Sequence, residues 1–370
     1  MMKICFITSA RSEYGLLKWL MKEAEGSAYF ELQIVVTGGH LLKEQGYTVE
    51  YIREDGFSVD AEVDVSLDTT SKQCIAASMG RMAEELSIAF GSLKPDYVVV
   101  LGDRYELLPI CDTAFVMGIP IIHISGGDVT EGAIDNGIRN AVTMLATYHF
   151  PGTLESADNI IRMRGSDKGV WAVGEPGLDA FKRYDLLSKY EISEELGLNI
   201  NKKWVLMTYH PETNSCIEKD LKVVENCCDI LIKKTDIQII ATYANADFGG
   251  QDINKYLESV SLNNPEKFKT YASLGNKNYL SLMKCVAFII GNSSSGIVEA
   301  PSLEIPVVNI GNRQKGRYLC GNVIQSDSTY EAIKVAIEKA ENHEIDTSDA
   351  GYWGDGHTAE RIISILENNL

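Results

Sequence analysis

Short continuous apolar runs alternate along the chain with longer stretches in which apolar residues recur every three to four positions. The runs predict strands covered on both faces, and the stretches predict amphipathic helices. Lys3 to Thr8 predicts a first strand, Ser12 to Glu25 a helix, and Phe30 to Thr37 a second strand ending at Gly38-Gly39. Ile75 to Lys94 predicts a long helix. Tyr97-Val-Val-Val-Leu101 has the uninterrupted apolar character of a central parallel strand. A helix from Tyr105 to Met117, a strand from Pro120 to Ile124, the pair Gly126-Gly127, a helix from Asp135 to Leu145 and a short strand from Tyr148 to Phe150 follow. This is βαβ repetition, which predicts a doubly wound sheet.

Gly174-Glu-Pro-Gly177 then interrupts the pattern, and a domain boundary is expected there, with residues 1–175 in the first domain and 176–357 in the second. The alternation restarts with a strand from Trp204 to Thr208, a helix from Glu218 to Lys233, a strand from Ile237 to Ala241 and a short strand from Phe268 to Ala272. A helix from Lys277 to Lys284, the apolar run Val286 to Ile290, the strand Pro306 to Ile310 and a last helix from Thr358 to Asn368 complete it. A chain of 370 residues exceeds what one core usually supports. The expected fold class is therefore α/β, with two Rossmann-like domains facing across a cleft and ligands at the carboxyl ends of strands from both.

Composition narrows the partners. At 45% hydrophobic and 23% charged the chain reads as an ordinary soluble globular protein. No apolar run reaches the length of a membrane span, and the first residues read as a strand rather than a signal peptide. Eight cysteines lack metal spacing, with Cys5 and Cys285 in predicted buried strands and Cys227-Cys228 on a helix. Reduced thiols, a cytoplasmic location and no thiolate zinc site are expected. The net charge of −18 (34 − 52) disfavours nucleic acid and anionic membranes. An anionic small ligand stays open, because a few arginines dominate inside a cleft. Arg11, Arg104, Arg139, Arg313 and Arg317 all lie beside loop-like sequence, where each also reads as a solvated surface arginine.

The residues that follow predicted strands carry the candidate chemistry. Gly291-Asn-Ser-Ser-Ser-Gly296 joins a strand to an apparent helix start, the arrangement that presents N–H groups to phosphate. It holds no Lys, so it is not a P-loop. Ser295 and Glu299 are four apart and share a helical face, so serines on a phosphate and Glu299 on ribose hydroxyls fit. Equally, Glu299 fits a first-turn acid complementing the helix dipole. Asp103, in Gly102-Asp-Arg104, suits acid/base work or a sugar hydroxyl, and also suits an N-cap. Asp128 reads as a site acid or a turn residue, and Asp135 as a site acid or an N-cap. Paired carboxylates are what proton removal from carbon and protonation of a leaving oxygen require. His210, between a strand and Pro211, fits phosphate binding, catalysis or a satisfied structural role, whereas His123 inside an apolar strand reads as a core histidine. Ser9 to Glu13, Tyr209 to Glu212 and Asn245-Ala-Asp247 are further strand-end segments.

Thr8-Ser-Ala-Arg-Ser-Glu-Tyr14, Thr37-Gly-Gly-His-Leu41, Leu101-Gly-Asp-Arg-Tyr-Glu106, His123-Ile-Ser-Gly-Gly-Asp128 and Ile134-Asp-Asn-Gly-Ile-Arg139 are individually weak motifs. In the second half stand Gly291 to Gly296 with Glu299, and Asn309-Ile-Gly-Asn-Arg-Gln-Lys-Gly-Arg317. In this order and spacing, running on to Tyr352-Trp-Gly-Asp-Gly-His357, they resemble the hydrolysing UDP-N-acetylglucosamine 2-epimerases of sialic-acid biosynthesis. The resemblance implies a glycosyltransferase-B-type fold, with the final helix, 358–370, returning to the first domain. It implies loss of the C2 proton and of UDP to give a glycal, then hydration with inversion to N-acetylmannosamine. It implies a UDP-sugar partner, a homodimer, and no metal or nicotinamide. Asp103 and Asp135 match catalytic carboxylates, and His210 matches a diphosphate contact that helps UDP depart. Arg11 and Arg104 match cationic contacts. Ser293, Ser294, Ser295 and Gly296 match the diphosphate cradle, and Glu299 the ribose ligand. Asn245 and Tyr279 fall at the uracil, where Tyr279 would stack, and Arg317 closes a substrate-binding motif.

One position departs. Many relatives read His-Ile-Glu-Gly-Gly-Glu where this chain has Ser125 and Asp128. A serine does not replace a carboxylate base without its own activator, which shifts the proton chemistry to Asp128 or Asp103, or points to another substrate. A sibling group acts on UDP-2,4-diacetamido-2,4,6-trideoxyglucose in legionaminic-acid synthesis. The expectation ranks UDP-N-acetylglucosamine first and this sugar second, ahead of a glycosyltransferase or a non-catalytic nucleotide-sugar sensor.

Overall fold

The computed structural model describes the chain except for residues 44–45, 131–133, 213–215 and 246–247. It divides into a first compact unit of Met1–Val129, Ile134–Ala180 and Trp353–Leu370, and a second built on Phe181–Tyr352.

The first unit holds six parallel strands: β1 (Met2–Thr8), β2 (Phe30–Thr37), β3 (Ala61–Val63), β4 (Tyr97–Leu101), β5 (Ile121–Ile124) and β6 (Tyr148–Phe150). Their order is β3-β2-β1-β4-β5-β6. Successive side chains of β1 point to opposite faces. Ile4 and Phe6 pack with Leu17, Leu20 and Met21 of the helix Arg11–Gly26 and with Ile362 and Leu366 of the helix Thr358–Asn369. Cys5 and Ile7 pack with Met82, Leu86 and Phe90 of the helix Lys72–Leu93 and with Ile110 and Ala114 of the helix Leu107–Val116. Both faces are covered, which is why the run is apolar throughout. Buried Asp179 accepts the N–H groups of Thr358 (2.9 Å) and Ala359 (2.7 Å), and so stabilises the start of the last helix.

The second unit holds β7 (Lys203–Thr208), β8 (Ile237–Thr242), β9 (Phe268–Tyr271), β10 (Phe288–Gly291), β11 (Val307–Ile310) and β12 (Val323–Ser326), all parallel. The order β12-β11-β10-β7-β8-β9, read from the other edge, repeats the first sheet. In each sheet the winding reverses at one place, between β1 and β4 and between β7 and β10. There the loops leaving adjacent strands diverge and open a crevice at the carboxyl ends.

Several elements have no counterpart in the expected pattern: the edge strands β3 and β12 and the helices Leu154–Arg164, Gly250–Asn263 and Tyr330–Glu341. Cys285 corrects another expectation, since it ends the helix Gly275–Cys285, half-buried, and is not in a strand. A short apolar run does not by itself separate helix from strand. No helix among the described residues is long and apolar enough to cross a membrane.

Candidate active site

At the first switch point the chain leaves β4 through Gly102, whose φ of 82° suits glycine. Asp103 follows, its carboxylate paired with Arg139 of the helix Asp135–Leu145. Arg139 is fully buried while the Asp103 side chain is 22% exposed. A buried guanidinium demands such a partner, and the pair presents the acid outward on a fixed mount. The helix Leu107–Val116 has Glu106 at its N-cap, so the capping alternative for Asp103 falls. Arg139 also donates through Nη1 to the Asp128 carbonyl (2.8 Å). The Asp128 carboxylate is buried and accepts from Ser156 Oγ (2.6 Å), which ties its loop to the helix Leu154–Arg164. Asp135 is half-buried and is the first helical residue, with Ile134 at the N-cap position in its place.

Arg104 donates to Glu106 Oε1 (3.0 Å), and Glu106 is fully buried. Across from β4, the loop after β1 folds onto buried Glu13, whose Oε2 accepts from Ser9 N (2.7 Å), Ser9 Oγ (2.8 Å) and Ala10 N (3.2 Å). Burial pushes the Glu13 carboxyl up to about 7; Arg104 pulls it down and Glu106 pushes it up. Arg11 is half-buried at the first position of its helix. Loops from both sides of the switch point thus share one acid–arginine cluster. Next along the sheet edge, Ser125 donates to Glu175 Oε2 (2.7 Å). His123 is a core histidine as expected: Nε2 meets the Gly102 carbonyl (2.8 Å), and burial holds its pKa down near 4.

The second switch point is built around Gly291 and Asn292. Gly291 has φ 140°, and a Cβ there would lie 1.9 Å from the Thr208 carbonyl of β7. Only glycine lets the turn pass so close to the neighbouring strand. Asn292 then locks the two loops together: its Oδ1 accepts from His210 N (2.8 Å) and its Nδ2 donates to the His210 carbonyl (2.8 Å). His210 Nδ1 accepts from Asn245 N (3.1 Å), so the proton of the neutral ring sits on Nε2, leaving that nitrogen a donor. Ser293 caps the short helix Ser294–Val298, its Oγ shared with Ser295 Oγ (3.1 Å). Tyr279 OH meets Ser295 Oγ at 2.6 Å, so this ring is anchored to the serine turn through its hydroxyl. Ser294 is exposed, and a Cβ on Gly296 would crowd Val307 at 2.9 Å. Arg313 and Gln314 donate to the Asn292 carbonyl (3.1 and 2.9 Å), and Arg317 donates to Gln314 Oε1 (3.1 Å).

Glu299 lies beyond the last residue of that helix and stands at the N-cap of the 3-10 turn Ala300–Leu303 with no side-chain cap bond, so it is not a first-turn acid of the helix that opens at Ser294. Its carboxyl is buried, Oε2 has no partner among the described residues, and burial raises its pKa to about 7. A buried acid with an open acceptor is suited to receive hydroxyl donors. Asp247 lies outside the described residues. Among the described residues no group of three or more His, Cys, Asp or Glu side chains could hold a metal ion.

One switch point therefore offers carboxylates mounted on arginine, and the other a serine turn, a histidine donor and a buried acid. A family model described as UDP-N-acetylglucosamine 2-epimerase matches residues 22–367. The chain belongs to this family. It is 36% identical over 344 residues to the GDP/UDP-N,N'-diacetylbacillosamine 2-epimerase (hydrolyzing) of Campylobacter jejuni, covering 92% of this chain and 88% of that one. It is 32% identical over 366 residues to the UDP-N,N'-diacetylbacillosamine 2-epimerase (hydrolyzing) of Legionella pneumophila, covering 99% and 95%. The crystal structure of the Neisseria meningitidis UDP-GlcNAc 2-epimerase bound to UDP-GlcNAc superposes with a TM-score of 0.82 at 19% identity, covering 100% of both chains. The expected two-domain, glycosyltransferase-B-like fold is thereby established for this member of the family. Sequence reasoning left Arg139 open between a cleft arginine and a surface cation, and placed Glu13 in a strand-end segment without a role of its own. It missed Glu175, which read only as part of a boundary.

Proposed function

We propose that the chain is a hydrolysing 2-epimerase acting on UDP-2,4-diacetamido-2,4,6-trideoxyglucose, the nucleotide form of N,N'-diacetylbacillosamine. The relatives at 36% and 32% identity carry this sugar in their names, which reverses the ranking drawn from the motifs. The observation that carries the reaction type is the Asn292–His210 lock, which holds a neutral N–H donor beside a serine turn. Such donors stabilise the charge that develops on a departing diphosphate. The second unit then holds UDP, with Ser293 to Gly296 and His210 on the phosphates, Glu299 on the ribose, and Asn245, Tyr279 and Arg317 toward the base and diphosphate.

The first unit handles protons. Asp103, fixed by Arg139 and partly exposed, takes the proton from C2 as the C1–O bond breaks and UDP leaves with the bonding pair. The product of this step is a glycal. Water then adds at C1, and C2 receives a proton on the opposite face, in which Asp135 serves as the second acid. Asp128, committed to Ser156, holds its loop in place. Arg11 and Arg104 supply positive charge. A second reading, UDP-N-acetylglucosamine as substrate, draws on the description of the family model. Initial rates of UDP release from both sugar nucleotides test the choice. A kcat/KM at least tenfold higher for the diacetamido sugar is expected, and the reverse order would favour the second reading.

A further inference from the structure

The pair Ser125–Glu175 has no part in the roles above. Ser125 leaves β5 with φ 56°, a left-handed conformation that is strained for a non-glycine residue. It is held there from two sides: its N–H donates to the Phe150 carbonyl of β6 (3.0 Å), and its Oγ donates to Glu175 Oε2 (2.7 Å). Glu175 is only 7% exposed, and its own N–H donates to the Trp353 carbonyl (2.8 Å). A Cβ on Gly152 would come within 2.0 Å of Glu175 Oε1, so the carboxylate lies directly against the chain after β6. Ser125 is half-buried, while its partner is not accessible. The pair stands at the carboxyl end of β5, beside the loop that carries Asp103, since His123 Nε2 bonds the Gly102 carbonyl at 2.8 Å.

A serine hydroxyl has one proton and two lone pairs. With the proton committed to Glu175 Oε2, only lone pairs remain to face a ligand. We propose that Glu175 is a positioning residue that turns Ser125 into a fixed hydrogen-bond acceptor for a donor on the sugar, an amide N–H or a hydroxyl. The inference rests on the 2-epimerase reading and assigns this edge of the sheet to sugar recognition. Proton transfer remains with Asp103, because a hydroxyl whose proton is donated elsewhere is still far too weak a base for a carbon acid.

The test is steady-state UDP release by the full chain from the sugar nucleotide that it turns over best. Ser125→Ala and Glu175→Ala should each lower kcat/KM about tenfold or more, the range for losing a fixed polar contact to substrate. The double variant should be no worse than the poorer single one. Glu175→Gln, whose amide oxygen still accepts the serine proton, should recover to within about threefold of the parent with an unchanged pH–rate profile. Wild-type kcat/KM in Ser125→Ala, or additive losses in the double variant, would overturn the proposal. So would a Gln variant as poor as Ala that also loses a limb of the pH profile, since Glu175 would then itself move protons. Where Glu175→Ala does not fold, Ser125→Ala and Glu175→Gln preserve shape and carry the test. A parent chain that releases no UDP from any sugar nucleotide removes the 2-epimerase reading and this inference with it. Parent turnover combined with an overturning result removes this inference alone.

Discussion

Glu13 and Glu299 are both pushed up to about 7 by burial, one in each unit. For Glu299 the cause is simple, since its Oε2 has no donor among the described residues and Arg317 compensates only in part. A raised acid pKa means the folded chain binds that proton more tightly than the unfolded chain. The stabilisation is complete below the ordinary glutamate range and is lost as pH rises through about 7. A shift of this size corresponds to a penalty of at most about 3 kcal/mol for the buried charge above that pH. Glu299→Gln should therefore melt above the parent at pH 8 and together with it at pH 5, in ligand-free thermal melts. An equal offset at both pH values would contradict this. The strand-end positions of Asp103 and His210 were legible because the apolar runs before them mark where strands stop. The burial of Arg139 was not, because it is a tertiary fact: its helix looks amphipathic with or without a buried cation.

At the level of elements, the candidate site residues of each unit depend on loops that diverge from neighbouring parallel strands. The serine turn is the more constrained, because Gly291 passes against β7. Gly291→Ala would force a Cβ into the Thr208 carbonyl, and a loss of about 3 kcal/mol or more in urea unfolding is expected. Gly137, in the helix Asp135–Leu145, meets nothing within 4 Å and has no left-handed φ. Its replacement by Ala should be neutral or stabilise by up to about 1 kcal/mol. Equal losses for both would show that the close approach does not matter. The long central strands announced themselves by uninterrupted apolar runs. The edge strand β3, with three residues, and β12, with four, are too short for any period to register. The boundary between Cys285 and Phe288 shifted for the same reason: an apolar run flanked by a helix end carries no mark of where one element stops.

At the level of the molecule, two sheets share one winding order, and on the proposed function one carries the nucleotide and the other the proton chemistry. The repeated strand order was legible in the alternation of runs and strand-end motifs. The sugar was legible only as the second choice, through the departure at Ser125; the partner of that serine, Glu175, lies 50 residues away and carries no local mark. The central claim is that the C2–H bond breaks as UDP leaves, and isotope incorporation tests it most directly. UDP-2,4-diacetamido-2,4,6-trideoxyglucose is incubated with the chain in heavy water and the products are read by NMR and mass spectrometry. The expected result is UDP together with a free sugar inverted at C2 and carrying one deuterium there; an inverted product that keeps hydrogen at C2 would contradict the mechanism.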